Sequence, residues 1–159
     1  LYDWLNAEPQ LFHPGDLDYI HSVERISKLS NVISINGGVQ LDLMGQENAE
    51  STGTRQLSGV GGQMDFLEGA YRSKGGKGFI CINSSRVTKD GERKSNILAT
   101  IPGGSTISAP RTMIQYVATE YGIASLSGKT LRERAEAMAS IAHPDFREEL
   151  MKYARENFK

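Results

Sequence analysis

The sequence predicts one α/β domain built on a mixed β-sheet, and three observations support this prediction. At 159 residues the chain is long enough for one domain with a hydrophobic core, and too short for two domains of ordinary size. Short apolar and β-branched runs alternate with turn signals over the first two thirds and indicate five or six strands. The last thirty residues show helical periodicity, which favours helices packed on the sheet.

Composition and charge exclude several classes of function. Eighteen Lys and Arg against nineteen Asp and Glu leave a formal net charge of −1, so no strong positive field exists for nucleic acid or an anionic membrane. No apolar run approaches the roughly 20 residues that span a bilayer, and no targeting signal is visible. The single cysteine, Cys81, cannot form an internal disulfide. We expect no nucleic-acid or membrane partner and a cytoplasmic location.

The chain divides into a connector and a folded domain. Residues 1–30 mix aromatic and polar residues with prolines and predict a connector from an N-terminal domain, whereas residues 31–159 carry the regular patterns. An amphipathic stretch begins within a few residues of Leu1. We therefore expect Leu1 to be an internal position of a longer polypeptide.

The strand signals lie in the central part of the chain. The run 79–82 is wholly apolar, which predicts a strand buried on both faces, with Cys81 as inert packing rather than a nucleophile. Residues 83–94 are polar and charged and predict a solvent loop. Strands are predicted at 32–35, 39–43, 79–82, 96–101, 105–108 and 114–118.

Helix signals are clearest near the end of the chain. Thr130 followed by Glu133 predicts a capping box, and His143 before Pro144 predicts the start of the last helix. The charged residues of these helices, Arg134 among them, alternate in sign and are expected to face solvent. Helices are predicted at 2–6, 22–29, 65–71, 130–142 and 144–154.

The segment 58–66, SGVGGQMDF, is the strongest local signal for chemistry. Gly59, Gly61 and Gly62 allow the main chain to approach a ligand closely, and the segment leads into a helix whose first amides are unpaired. Such a junction can hold a phosphate or a developing oxyanion. Because it lacks a Gly-Lys-Ser/Thr sequence and has Met64 in place of a third fingerprint glycine, it is neither a P-loop nor a dinucleotide fingerprint. A tight structural turn and an anion site both remain open from the pattern alone.

Other polar residues favour structural roles. Residues 46–51 form a polar cluster after a strand, where α/β folds place ligands, but a solvated loop is favoured. Glu120 follows a predicted strand and is expected to make a structural hydrogen bond. The three histidines lack the spacing of metal ligands, so we predict no metal site. They are His13, His21 and His143.

Four separated motifs, in order, resemble a single family. They are VQLDLMGQENAE at 39–50, RQLSGVGGQMDF at 55–66, VATEYGIA at 117–124 and IAHPDFR at 141–147. Together they resemble the C-terminal half of the acetyl-CoA hydrolase/transferase family, which includes 4-hydroxybutyrate, butyrate and acetate CoA-transferases. The resemblance extends over residues 32–150.

The resemblance implies a CoA-transferase-like fold, an open α/β/α sandwich with a mixed sheet, of which this chain would be the second domain. It implies ping-pong transfer of CoA between an acyl-CoA and a short-chain carboxylate through a glutamyl-CoA thioester. Coenzyme A is then a substrate, and no cofactor is bound permanently. The family's glutamate would lie upstream of Leu1, on an N-terminal domain of the same protein, so the isolated chain is expected to be inactive. A homodimer is also implied.

The resemblance assigns roles to particular residues. Gly61 and Gly62 would form the oxyanion loop, and Lys94 would meet a CoA phosphate. The remaining CoA contacts would be Gly38, Val39, Ser58, Gly59 and Gly62. There are two alternatives to a CoA-transferase. One is an acetyl-CoA hydrolase, which passes the thioester to water; the other is a non-catalytic module that binds CoA or a nucleotide.

Overall fold

A computed structural model of the chain describes residues 1–158. None of the helices within this range is long and apolar enough to cross a membrane. The helices are α1 Tyr2–Ala7, a 3-10 helix Pro9–Leu11, α2 Leu17–Ile20, α3 Val23–Lys28, α4 Gln63–Arg72, α5 Leu131–Ser140 and α6 Pro144–Asn157.

Eleven short strands occur in the same residues. They are β1 Ile33–Gly37, β2 Gln40–Asp42, β3 Glu47–Asn48, β4 Ser51–Thr52, β5 Arg55–Gln56, β6 Lys77–Cys81, β7 Ser85–Val87, β8 Arg93–Ser95, β9 Ile97–Leu98, β10 Tyr116–Thr119 and β11 Gly122–Ser125.

The main sheet has four strands in the order β1-β6-β10-β11. Strand β6 pairs in parallel with β1 and with β10, and β10 forms an antiparallel hairpin with β11. The sheet is therefore mixed, and the predicted α/β class is confirmed. Because β1, β6 and β10 run in the same direction, their carboxyl ends meet at one edge of the sheet.

The hydrophobic core lies on one face of this sheet. Helix α4 packs on β1 and β6, and α5 packs on β11. A second, three-stranded sheet in the order β3-β2-β9 contributes Leu41 and Ile97, which are fully buried together with Leu67 and Ile80. Burying side chains of this size stabilises the fold by about 1.5–3 kcal/mol each.

The opposite face of the four-stranded sheet remains exposed in residues 1–158. Ile33, Ile35 and Ile123 are 51%, 68% and 63% exposed, and the rings of Phe79 and Tyr116 stack beside them at 4.9 Å. This uncovered surface is called the open face below.

The open face corrects the prediction for the strand at 79–82. Successive side chains of a strand point to opposite faces, so β6 buries Gly78 and Ile80 and turns Phe79 and Cys81 to the open face. Cys81 is exposed rather than packed in the interior. The strand is central in the sheet, as predicted, but only one of its faces is covered.

Two further segments differ from their predictions. Residues 83–94, predicted as a solvent loop, contain most of the antiparallel hairpin β7–β8. Residues 105–108 form no strand, because their polar groups bond to a neighbouring turn instead of a ladder. The Thr106 amide donates to Ser51 Oγ at 2.9 Å, and Ser108 Oγ accepts from the Ala49 amide at 2.9 Å.

The two predicted helix starts are confirmed, whereas the solvated position of Arg134 is wrong. Thr130 and Glu133 form the capping box, and His143 Nδ1 accepts from the Asp145 amide at 3.3 Å at the start of α6. Arg134 is only 8% exposed. Its guanidinium donates at 2.8 Å to each of three carbonyl oxygens, those of Met44, Leu126 and Arg111.

Candidate functional site

A cleft of about 470 Å³ opens where the three parallel strands end. Its walls combine small or polar residues with one thiol and one isoleucine: Gly38, Cys81, Ile82, Asn83, Ala118 and Thr119. In open α/β sheets ligands bind outside the carboxyl ends of the strands. The cleft therefore lies where the fold class places a substrate.

Gly38, in the turn formed with Val39, lines one wall of this cleft. The Val39 amide donates to the Asn48 carbonyl at 2.9 Å, which fixes the turn against β3. A Cβ atom on Gly38 would lie 2.6 Å from Glu47 Oε1 and 3.0 Å from Ile82 Cγ2. A side chain at this position would have to displace the buried Glu47 carboxyl, so the turn and this carboxyl pack closely.

The polar segment 46–51 is largely buried, so the favoured solvated loop is wrong. Asn48 is fully buried; its side chain donates to the Ser51 carbonyl at 2.8 Å and accepts from the amides of Glu50 and Ser51. The Glu50 carbonyl in turn accepts from the Leu57 and Ser58 amides. These polar groups are therefore hydrogen-bonded to one another within a tight turn. Through the Glu50 carbonyl the turn also holds Ser58, where the glycine segment begins.

The glycine loop, residues 58–62, is exposed or half-buried and ends at α4. Gly61 has a φ of +60°, a conformation that residues with a Cβ rarely adopt. Within the described chain, the amides of residues 59–62 donate to no protein acceptor. These four donors, just before the first turn of a helix, are therefore free to bind an anion or an oxyanion.

His21 packs directly against Gly62, which the sequence did not indicate. A Cβ on Gly62 would overlap the His21 imidazole, so glycine is required here by space rather than by its φ of −92°. The ring lies edge-on to Phe66 at 5.0 Å, and His21 Nδ1 lies 3.5 Å from Asp65 Oδ2. No sequence motif links His21 to a glycine 41 residues later.

Glu47 joins the Gly38 turn to the glycine loop. Its Oε2 accepts a hydrogen bond from Nε2 of Gln63, the first residue of α4, while Oε1 faces Gly38. Desolvation by burial, opposed by the Gln63 hydrogen bond and aided by the charge of Glu50, raises the pKa of Glu47 to about 8. The carboxyl is therefore largely neutral at pH 7.

Glu120 makes the structural hydrogen bond predicted for it. It follows β10, and its oxygens accept from the Ser84 hydroxyl at 2.6 Å and the Ser84 amide at 2.9 Å. Burial alone would raise the pKa of Glu120, but these hydrogen bonds and the nearby His143 lower it below its usual range. The contact ties the end of β10 to the chain that follows Asn83, at the rim of the cleft.

The structure brings together most of the residues that the sequence singled out. Gly38 and Gly62 are linked through Glu47 and Gln63, and Ser58 is held by the Glu50 carbonyl. Lys94 lies apart on β8, where Nζ is 3.2 Å from Glu92 Oε2. Among residues 1–158, no three His, Cys, Asp or Glu side chains are grouped to hold a metal ion.

Comparison with known proteins matches these features to a family. Residues 1–154 match the acetyl-CoA hydrolase/transferase C-terminal domain. A butyryl-CoA:acetate CoA-transferase of Anaerostipes caccae is 46% identical over 154 residues, which are 97% of this chain and 34% of that protein. A 4-hydroxybutyrate coenzyme A transferase of Clostridium kluyveri is 46% identical over 158 residues, or 99% of this chain and 36% of that protein.

A solved structure shows the same fold. The 4-hydroxybutyrate CoA-transferase of Porphyromonas gingivalis superimposes with a TM-score of 0.78 at 39% identity, over 99% of this chain and 35% of that one. The chain thus spans about a third of the length of the relatives that it matches. With its mixed sheet, its cleft and its matched sequence, the chain belongs to the acetyl-CoA hydrolase/transferase C-terminal domain family.

Proposed function

We propose that this chain is the CoA-binding, oxyanion-stabilising part of an acyl-CoA:carboxylate CoA-transferase of the 4-hydroxybutyrate or butyrate/acetate kind. The observation that carries the proposal is the set of free amides at residues 59–62, joined through Glu47 to the cleft at Gly38. Family membership and the two CoA-transferase relatives support it.

The chemistry explains why free amides matter. In the proposed reaction, a glutamate carboxylate from upstream of this chain attacks the acyl-CoA carbonyl carbon, and the carbonyl oxygen becomes negatively charged. Collapse expels the CoA thiolate and leaves an acyl-glutamyl anhydride. The thiolate then attacks the glutamyl carbonyl, which releases the acyl carboxylate and leaves the thioester. Donors at Gly61 and Gly62 would stabilise the oxyanions, an effect worth about 2.7–4 kcal/mol per donor in a comparable enzyme.

The same geometry supports the other proposed CoA contacts. Gly38 lines the cleft and is followed by Val39, whose amide donates to the Asn48 carbonyl, and Ser58 and Gly59 are exposed at the start of the glycine loop. Lys94 lies apart from these residues on β8, and its proposed contact with a CoA phosphate rests only on its exposed positive charge.

The open face supports a further part of the proposal. Apolar side chains at Ile33, Ile35 and Ile123 are exposed together on one side of the sheet, and exposed apolar patches often mark contact surfaces. We propose that the N-terminal domain of the same protein covers them, with residues 1–30 as the connector. The homodimer implied by the family resemblance stays a prediction.

The first test concerns the reaction itself. The complete protein, given butyryl-CoA and acetate, is expected to form acetyl-CoA, measured by liquid chromatography. Residues 1–159 alone are expected to form none, because the proposed nucleophile lies outside them. Release of free CoA without acetyl-CoA would favour the hydrolase instead. Binding of CoA by the complete protein without either product would favour a non-catalytic module.

The second test places the ligand at the glycine loop. A Cβ on Gly59 meets no atom within 4 Å, so Gly59→Ala is expected to leave the thermal midpoint almost unchanged. In the complete protein it should raise the KM for acyl-CoA about tenfold, because the added methyl group occupies the path of the ligand.

The matched control is Gly103→Ala, since a Cβ there also meets nothing within 4 Å and the residue lies outside the glycine loop and the cleft. It should change neither the midpoint nor the KM. Equal KM values for the two variants would remove Gly59 from the CoA site.

A further inference from the structure

The Glu47 carboxyl has no role in the proposed reaction, yet it lies between the two stretches of chain that the reaction uses. Gln63 donates to its Oε2 and directly follows Gly62. Its Oε1 lies behind Gly38, at the wall of the cleft, and has no hydrogen-bond partner among the described residues. A buried polar atom without a hydrogen-bond partner lowers stability, so the presence of this carboxyl here needs an explanation.

The surroundings of this carboxyl favour its neutral form. Glu47 is fully buried, and no cation pairs with it in residues 1–158. The titratable group that faces it is Glu50, which has the same sign of charge. The other segments packed against it also carry no charge there. They present the side chains of Gln63 and Ile82, the Gly38 backbone, the strand partner Leu41, and Ser108 and Ala109, which bond the Glu47 backbone. An ionised carboxylate here would be desolvated and unpaired.

We propose that Glu47 is a positioning residue whose neutral carboxyl holds the start of α4 against the Gly38 turn, so that the two stretches of main chain that bind CoA keep a fixed separation. This inference rests on the proposed function, because it takes the glycine loop and the Gly38 turn as the CoA site. Glu47 itself touches no substrate, since its side chain is fully buried.

The role of Glu47 can be tested by comparing CoA affinity when its carboxyl is neutral and when it is ionised. Below the pKa of Glu47, near 8, the neutral carboxyl is retained in its buried position. As the pH rises through that value, a negative charge forms beside Gly38 and near Glu50, and its hydration requires the surrounding chain to open. Glu47 then no longer holds Gln63 at the start of α4, and CoA affinity should fall as the pH rises.

The experiment measures the dissociation constant of CoA for the complete protein by calorimetry between pH 6.5 and 9.5. Wild type is expected to lose affinity about tenfold across pH 8, the loss of one good hydrogen-bonded contact. Glu47→Gln imitates the neutral carboxyl and should bind like wild type at pH 6.5 and keep its affinity at pH 9.5. Because CoA itself also titrates, the ratio of variant to wild type at each pH is compared.

Two further variants sharpen the result. Glu47→Leu should bind about tenfold more weakly at every pH, because it cannot hold Gln63. Glu50→Gln keeps Glu47 but removes the facing charge, so its loss of affinity should occur at lower pH than in wild type. If Glu47→Leu does not fold, Glu47→Gln and Glu50→Gln decide the question by themselves.

The outcomes separate this inference from the proposed function. Absence of CoA binding by the wild-type protein at every pH overturns both. CoA binding with the same pH profile in wild type and Glu47→Gln overturns the inference and leaves the function standing. Equal weakening by glutamine and leucine at pH 6.5 also overturns it, because the neutral form would then hold nothing.

Discussion

Replacing Arg134 by methionine is expected to lower the free energy of unfolding by about 3 kcal/mol or more. The guanidinium donates to the carbonyls of Met44, Arg111 and Leu126, which belong to three separate segments. Methionine fills much of the volume but leaves these three carbonyls, of which that of Leu126 is buried, without this donor. Burial lowers the pKa of Arg134, with Arg111 adding to the shift and Asp42 opposing it, but arginine keeps its charge in proteins.

Urea denaturation of the protein checks this prediction, and Arg132→Met is the matched control. Arg132 lies two residues earlier on α5 and is exposed, with Glu136 as its partner at 3.1 Å. An exposed pair of this kind contributes at most about 1 kcal/mol. Similar unfolding midpoints for the two variants would mean that the buried guanidinium does not hold the three segments together.

Gly62→Val is expected to lower the kcat of the complete protein by two to three orders of magnitude, as the loss of an oxyanion donor does. The valine side chain would overlap the His21 imidazole and displace the loop that carries the amides of Gly61 and Gly62. The same overlap destabilises the protein, so rate and stability must be measured separately.

A second substitution separates the two effects. His21→Ala removes the ring that valine would meet, so the double variant should recover most of the thermal midpoint lost by Gly62→Val. Its kcat should stay low, because the valine still displaces or screens the amide beside the acyl carbonyl. Full recovery of kcat in the double variant would show that Gly62 serves only the packing against His21.

The parts of the fold that local chemistry determines could be predicted from the sequence. Thr130 and Glu133 satisfy each other's backbone amides within one helical turn, and His143 and Pro144 begin α6 in the same local way. Strands were predicted near β1, β6 and β10, but only β6 from a wholly apolar run. Such features need only residues close together in the chain, which is why they were predictable.

Features that depend on distant segments were not predictable. Arg134 has the pattern of a solvated helix residue, but its side chain reaches carbonyls up to 90 residues away. Cys81 belongs to an apolar run, and its exposure depends on which face of the sheet is covered. Neither fact is contained in periodicity or composition.

The candidate site was predicted in part for the same reason. Glycine spacing marked the loop at Gly59, Gly61 and Gly62, since backbone freedom is a local property. Glu47 was placed in a solvated loop because its burial comes from β2, α4 and the Gly38 turn together. His21 packs on Gly62 through tertiary contact alone, and no local signal could have identified it.

Strand β1 lies at the end of the four-stranded sheet, with a single neighbour, β6. Its outer backbone groups therefore offer a row of donors and acceptors to an incoming strand, next to the exposed Ile33 and Ile35. A strand added at this edge would extend the ladder through main-chain hydrogen bonds. The added segment and the sheet would then tend to unfold together.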